Sequence, residues 1–242
     1  MDKDYLVAII EKVMRGESES RTQDVFNDVM KQKRGRNDID ARRANAKADL
    51  TKQKERLLQL KYPELTGIPN GRIVELFDSA WKIIDERKEF GKNLFIVPES
   101  LLLIPQKLSL VEWKGRRGVN YLDLSELRNA KGVETPQVPY LLLDVEDGRA
   151  MKNVSPDNCM MQFKREGRLG LTVNEGIMLI THHFEILDDH FVDCPGSRFG
   201  SNYVPCICLG AFQVALYYSD SAHSTERWGS ASCGSRILGF RS

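Results

Sequence analysis

The sequence lacks several features that would assign it to a protein class at once. Its longest apolar stretch, near residues 95–104, is interrupted by Pro98 and bounded by Pro105, whereas a membrane-spanning helix needs roughly 18 or more apolar residues. The net charge is only +1, so no global attraction to nucleic acid or to an acidic membrane is expected. No Gly-rich segment matches a P-loop or a dinucleotide-binding fingerprint. We therefore expect a soluble globular protein without membrane contact and without a cofactor.

Cysteine is sparse, and the amino terminus lacks the pattern of a secretory signal. The chain has five cysteines, an odd number without dense spacing, which is typical of reduced thiols in a cytosolic setting. Asp2 and Asp4 stand where a signal peptide needs basic residues followed by an apolar run. We expect a cytoplasmic protein.

Apolar spacing predicts a helical appendage over residues 1–60 and a globular domain over residues 61–242. Helices are predicted at residues 5–16, at residues 20–30 with Ser20 and Gln23 as a capping box, and from about residue 37 to Tyr62-Pro63. The last of these carries a thin apolar stripe in a highly charged sequence. The stripe consists of Ile39, Ala46, Leu50, Leu57 and Leu60.

The segment from residue 31 to residue 61 is strongly basic, with eleven Lys or Arg against four Asp or Glu. One interpretation is a solvated helix that packs one narrow edge on its neighbours. The other is a binding arm for a partner helix or a phosphate-bearing polymer. The arm would use Lys31, Lys33, Arg34, Arg36, Arg42 and Arg43. No aromatic residue is interleaved among them, so base stacking is not supported and nucleic acid is not the favoured partner.

The globular part mixes helices and strands without a regular alternation. Helices are predicted over residues 70–90, from Pro156 to about Gly167, and from Thr172 to His182-His183, the last with Thr172 and Glu175 as a capping box. Extended segments are predicted at residues 93–97, 101–104, 108–113, 138–145, 150–154, 204–209, 212–218 and 237–240, with Asp147-Gly148 as a hairpin turn. This pattern predicts an α+β fold with a largely antiparallel or mixed sheet.

A series of short motifs runs from residue 61 to residue 236. They are Tyr62-Pro63-Glu64-Leu65, Pro139-Tyr140-Leu141-Leu142-Leu143-Asp144-Val145, Asn153-Val154-Ser155-Pro156-Asp157, Gly167-Arg168, Leu171-Thr172 with Glu175-Gly176, Thr181-His182-His183, Gly196-Ser197-Arg198, Val204-Pro205 and Gly229-Ser230-Ala231-Ser232-Cys233. Together they resemble an uncharacterised bacterial family known only as a domain of unknown function, and the closing Gly-Ser-Ala-Ser-Cys segment is the most specific motif. Phe184 and residues 214–218 depart from the family pattern. The resemblance implies a shared fold and no particular reaction.

Residues 171–236 gather all four histidines, four of the five cysteines and two Gly-Ser-Arg tripeptides. Gly and Ser in a turn expose backbone N–H groups, and an adjacent Arg adds a planar fork that matches carboxylate or phosphate. Arg198 with Ser197, and Arg236 with Ser230, Ser232 and Ser235, are therefore predicted to bind a small anionic ligand. In the alternative, both arginines pair with structural carboxylates such as Asp188, Asp189 or Asp193.

Nucleophilic chemistry is a second possibility for the same region. Cys233 lies among small residues whose amides could stabilise a thiolate, and His182, His183, His190 or His223 could act as a base. An inert core thiol is the simpler interpretation. Metal binding is not predicted, because Cys206-Ile207-Cys208 lacks zinc-knuckle spacing and consecutive histidines diverge on a helix.

The sequence thus predicts a cytosolic domain that binds a small anion near the two Gly-Ser-Arg turns, with His182 or His183 as an orienting group. The alternative function is an interaction module that uses the basic amino-terminal helices, in which the C-terminal motif only holds the fold.

Overall fold

The computed structural model describes residues 19–210 and 212–237, and its architecture is the α+β fold that the sequence predicts. The predicted helix at residues 5–16 and residues 238–240 of the last predicted strand lie outside the described residues. The helices are α1 (Glu19–Gln59), α2 (Tyr62–Thr66), α3 (Asn70–Arg87), α4 (Ile104–Leu110), α5 (Pro156–Glu166), α6 (Val173–His182) and α7 (Ile186–Asp189). In the described part of the chain, none of them is both long and apolar enough to cross a bilayer.

The chain divides into two compact units between Asn45 and Ala46. In the described part of the first unit, residues 19–45 are helical, and Gly35 does not interrupt the helix where the sequence predicted two separate ones. Residues 37–45 are all exposed, including Ile39 of the predicted apolar stripe. The division into an appendage of residues 1–60 and a domain of residues 61–242 stays a prediction.

In the second unit, the carboxyl-terminal half of α1 belongs to the core. Ala46, Leu50 and Leu57 of the predicted stripe are buried. Gln53 is buried as well, because its Nε2 donates to the Asn93 carbonyl at 2.7 Å and its Oε1 accepts from the Phe95 N–H at 3.0 Å. This side chain completes the hydrogen bonding of a strand edge and anchors the helix to it.

α3 forms as its apolar period predicts. Ile73, Phe77, Ala80 and Ile84 recur at helical spacing and are buried. The helix ends at Lys88, whose left-handed backbone (φ 56°) returns its N–H to the last turn.

Two sheets surround the buried helix α6. The strands are β1 (Leu94–Ile96), β2 (Glu112–Trp113), β3 (Arg116–Arg117), β4 (Val119–Asn120), β5 (Leu127–Asn129), β6 (Tyr140–Leu143), β7 (Leu169–Gly170), β8 (Phe191–Asp193), β9 (Ser197–Phe199), β10 (Tyr203–Leu209), β11 (Val214–Asp220), β12 (Trp228–Ser230), β13 (Ser232–Cys233) and β14 (Ser235–Ile237). The three-stranded sheet β1-β6-β14 is antiparallel, and the seven-stranded sheet around β8, β10 and β11 is mixed. Two short ladders, β2-β3 and β7-β13, and an isolated antiparallel bridge between Glu146 and Ser232 complete the pairing among the described residues.

Three predicted extended segments, at residues 101–104, 108–113 and 150–154, are wrong in whole or in part; residues 112–113 of the second do form a strand. Residues 104–110 form α4, because Pro105 suits a first helical turn and the Gln106 side chain accepts the Leu103 N–H at 3.0 Å. Residues 149–151 form a 3-10 turn, because the Asp147 carboxylate accepts the Arg149 N–H at 3.0 Å. In both places the apolar pattern alone fits a helix or a strand. A side-chain hydrogen bond to a nearby backbone N–H favours the helical turn.

The backbones at Gly148 and Gly229 approach each other closely. A Cβ on Gly229 would lie 2.1 Å from the Gly148 carbonyl oxygen. We predict that Gly229→Ala lowers the free energy of unfolding by about 2 kcal/mol or more, because backbone must move to relieve the overlap. Gly71→Ala is the control, since nothing lies within 4 Å of its Cβ position in α3. If urea denaturation gives the same free energy of unfolding for Gly229→Ala and Gly71→Ala, the prediction is wrong.

Candidate functional site

A cavity of about 510 Å³ lies at the amino-terminal end of α6. Its wall is formed by the loop before α4, by β5, by the loop that leads to β6, and by the first residues of α6 and β9. The polar lining residues are Glu99, Arg128, Asn129, Thr135, Gln137, Tyr140, Asn174 and Ser197. The volume falls in the range of small-molecule sites.

The first turn of α6 forms one end of the cavity. Thr172 and Glu175 form the predicted capping box, which is confirmed: the Thr172 hydroxyl accepts from the Glu175 N–H at 3.4 Å, and the Glu175 carboxylate accepts from the Thr172 N–H at 2.7 Å. The Ser197 hydroxyl accepts from the Val173 N–H at 3.0 Å. Asn174 follows directly and faces the cavity.

A buried ion pair lies beneath this helical turn. Glu175 is fully buried, and the Arg236 guanidinium donates to both of its oxygens, from Nε at 2.6 Å and from Nη2 at 2.8 Å. The Tyr140 hydroxyl donates to the same carboxylate at 2.9 Å. Burial and then the Glu175 charge raise the pKa of Tyr140, so this tyrosine stays a neutral donor.

A second buried charge lies behind Asn174. Lys107 of α4 is fully buried, and its Nζ donates to the Val97 carbonyl at 2.5 Å and to the Asn174 side-chain oxygen. Burial lowers the pKa of Lys107 to about 7, an effect that the nearby Glu99 charge opposes. Burial also raises the pKa of Glu99, which lines the cavity. Near neutral pH this corner therefore holds an amine that is protonated in part of the molecules.

The two predicted Gly-Ser-Arg turns do not place their arginines on this cavity. Arg236 is held by Glu175, and its Nη2 also donates to the Gly170 carbonyl at 2.8 Å. Arg198 donates to the Pro195 carbonyl at 2.8 Å and lies 3.3 Å from the Asp157 carboxylate. Both arginines pair inside the domain, although with Glu175 and Asp157 and not with the aspartates named above. Of the predicted ligand residues, Ser197 lines the cavity.

Of the remaining predicted serines, Ser230 and Ser232 are internal, and Ser235 is half-buried in β14. Ser230 lies in β12 with its hydroxyl buried. The Ser232 hydroxyl accepts from Arg168 at 2.9 Å, and Arg168 in turn pairs with the Asp144 carboxylate at 2.5 Å. These contacts give the Gly-Ser-Ala-Ser-Cys segment a structural role.

Cys233 is not joined to a histidine. It is fully buried in β13, and burial raises its pKa to about 12, which disfavours the thiolate. No histidine of the described chain hydrogen-bonds to it. The histidines are dispersed instead.

His182 lines a separate cavity of about 300 Å³, where burial lowers its pKa to about 3 and neither ring nitrogen has a described partner. His183 lies 3.5 Å from Glu185, and His223 lies 3.1 Å from Asp220 at the surface. The ring nitrogens of His190 contact the Asp189 carboxylate and the Asp147 carbonyl. Within residues 19–210 and 212–237, no three His, Cys, Asp or Glu side chains cluster to hold a metal ion.

Sequence reasoning missed Lys107, Arg128, Tyr140 and Asn174. One signal for Lys107 was present: Ile104, Lys107 and Leu108 share a face at helical spacing, and all three are buried. Because residues 101–104 and 108–113, on both sides of Lys107, were interpreted as extended, a lysine on an apolar helical face went unnoticed. Arg128 and Tyr140 lie in strands, and Asn174 lies in the first turn of α6; no local pattern marks any of the three as a site residue.

Removing Arg236 tests the buried pair. We predict that Arg236→Met lowers the free energy of unfolding by about 3 to 5 kcal/mol, because the Glu175 charge stays buried without its partner. The double variant Glu175→Gln/Arg236→Met loses less than the sum of the two single changes. Arg72→Met is the control, since its 2.9 Å pair with Glu75 is exposed. Urea denaturation that gives equal losses for Arg236→Met and Arg72→Met would refute the assignment.

Lys107 predicts a pH dependence of stability. The unfolded chain holds the Lys107 proton up to about pH 10.5, whereas the folded chain releases it near pH 7. The unfolded state therefore binds more protons in this window, and stability rises with pH. Relative to Lys107→Met, the wild type gains about 1 kcal/mol per pH unit between about pH 7 and pH 9. The exposed Lys164→Met is the control, and parallel stability profiles of wild type and Lys107→Met would contradict the prediction.

The comparisons with known proteins assign no activity. A family of unknown function, DUF5701, matches residues 56–236. No curated protein and no solved structure matches the chain.

Proposed function

The chain belongs to DUF5701, a family of unknown function, and we propose that its domain binds a small ligand with a carboxylate or phosphate group in the cavity at the start of α6. The observation that carries this proposal is the meeting of Arg128, Ser197 and the first turn of α6 on one cavity wall. The proposed anion site therefore uses Arg128 and Ser197, and the arginines of the two Gly-Ser-Arg turns are not part of it.

Charge supports an anionic group on the ligand. Arg128 lines the cavity and donates from Nη2 to the Gly200 carbonyl at 2.7 Å. A guanidinium has five N–H donors, so one such bond leaves others for a carboxylate or a phosphate. The first turn of α6 contributes the Asn174 side chain to the same wall.

The rest of the wall suits a polar ligand rather than an apolar one. Asn129, Thr135 and Gln137 provide hydroxyl and amide groups, while Leu124, Leu127 and Pro136 provide apolar contact. The Glu99 carboxylate repels an anion from the part of the cavity that it lines. We therefore expect the anionic group of the ligand to lie near Arg128 and a hydrogen-bond donor of the ligand to lie near Glu99. The ligand class is thus a small polar molecule with an acid at one end.

The proposal is limited to binding. Cys233 is buried elsewhere, and among the described residues that line this cavity there is no histidine. We infer a cytoplasmic protein, because all five cysteines are free, as expected in a reducing compartment. A bacterial origin stays what the resemblance implies. The Gly-Ser-Ala-Ser-Cys segment as a family signature stays a prediction.

The alternative function concerns the basic helix. Residues 37–45 of α1 are exposed and precede the family match, which is compatible with a surface that binds an acidic protein. Deleting residues 1–60 would not test this cleanly, because Leu50 and Leu57 belong to the core. Charge reversal of Lys31 and Arg42 in the full chain keeps the core intact. A pull-down partner lost on this reversal would favour the interaction module.

Arg128→Gln tests the cavity. We predict that inorganic phosphate or succinate, titrated at constant ionic strength, shifts the backbone amide signals of Asn174 and Ser197 in NMR spectra. The affinity falls about tenfold in Arg128→Gln, because one charge-assisted interaction is lost. Arg165→Gln, an exposed arginine of α5, is the matched control. Equal affinity in the two variants, or shifts confined to other regions, would reject the proposal.

A further inference from the structure

A second cavity, of about 240 Å³, lies over the mixed sheet beside β8, β11 and β12. Its wall carries Asp193 and Asp220, three aromatic rings and a surface histidine, and its described lining contains no Lys or Arg. The aromatic residues are Tyr217, Tyr218 and Trp228. This site shares no lining residue with the cavity at the start of α6.

Asp193 is the unusual member of this wall. Its side chain is 2% exposed, yet the only described side-chain donor to its carboxylate is the Ser219 hydroxyl, at 2.7 Å. A buried carboxylate normally has a cation or several donors, because removing it from water is costly. Burial raises the pKa of Asp193 to about 6, and the hydrogen bond from Ser219 opposes this only in part. The charge of Asp193 is thus poorly compensated within the described domain.

The aromatic rings are held in fixed positions. Trp228 packs edge-to-face on Phe191 with ring centroids 4.9 Å apart. Tyr218 is stacked against both Tyr217, at 4.6 Å, and Phe199, at 5.2 Å, so it supports the Tyr217 ring and is not itself offered to a ligand. Aromatic faces attract cations, and most strongly organic ammonium ions that are weakly hydrated. A carboxylate at the base of such a wall favours the same class of ligand.

We propose that this cavity is a binding site for a small organic cation, a primary or methylated ammonium, whose charge lies against Asp193 and whose carbon groups lie against the rings of Tyr217 and Trp228. Neither the sequence motifs nor the family match assigns a ligand here. The volume limits the occupant to a small molecule. This cavity shares no lining residue with the proposed anion cavity, so one binding proposal can be wrong while the other is correct.

The test is an NMR titration of the full chain with methylammonium and tetramethylammonium chloride, against sodium chloride at equal ionic strength. The Trp228 indole N–H and the Ser219 amide are expected to shift with the ammonium salts and not with sodium. Asp193→Asn weakens binding about tenfold, because the charge opposite the ammonium is lost. Asp188→Asn, an exposed aspartate of α7, leaves binding unchanged.

A second variant keeps the proposal falsifiable if Asp193→Asn does not fold. Tyr217 is 44% exposed, so Tyr217→Leu spares the core, and it weakens tetramethylammonium binding about two- to fivefold through loss of a cation–π contact. Sodium shifts equal to those of the ammonium salts, or equal affinity in Tyr217→Leu and in wild type, would overturn the proposal.

Discussion

The pairing of Glu175 with Arg236 is the constraint on which the rest of the domain depends. A fully buried carboxylate is tolerated only when its oxygens are occupied by well-placed donors, and Glu175 recruits them from three directions: Arg236 of β14, Tyr140 of β6 and the Thr172 N–H. The pair therefore ties the first turn of α6 to both strands of the β6-β14 ladder. Because that turn also forms one wall of the cavity, the shape of the site follows from the ion pair beneath it.

The two Gly-Ser-Arg tripeptides illustrate how little a repeated motif says about role. In one copy the serine accepts the Val173 N–H and the arginine reaches Asp157, so the motif fixes the entry to α6. In the other the arginine enters the core and neutralises Glu175. The same residues serve packing in both places, and the groups left over for a ligand are those whose bonding capacity is not exhausted, as in Arg128.

The sequence predicted what is local and missed what is distant. α3 and the capped start of α6 follow from spacing and from a four-residue motif, because a helix and its cap are settled by neighbours in the chain. The contact between Lys107 and Asn174 joins residues 67 positions apart, and no periodicity reports it. Cys233 and His182 were grouped because they lie in one stretch of chain, whereas Cys233 is buried in β13 and His182 lies at the end of α6 beside a separate cavity. Proximity in sequence is a weak guide to a site that several elements build.

The segment from Asp193 to Ser197 connects the two proposed sites, with the undercompensated carboxylate at one end and a cavity hydroxyl at the other. Gly196 lies between them, and its N–H donates to the Leu171 carbonyl at 2.8 Å while its carbonyl accepts from Ala130 at 2.9 Å. A Cβ at Gly196 would lie 2.3 Å from the Gly170 carbonyl oxygen, so the backbones are already in close contact. These contacts hold the segment between the chain before α6 and the chain after β5. Since coupling between sites requires an element with two arrangements, a segment held on both sides in this way gives no reason to expect that the two proposed sites influence each other.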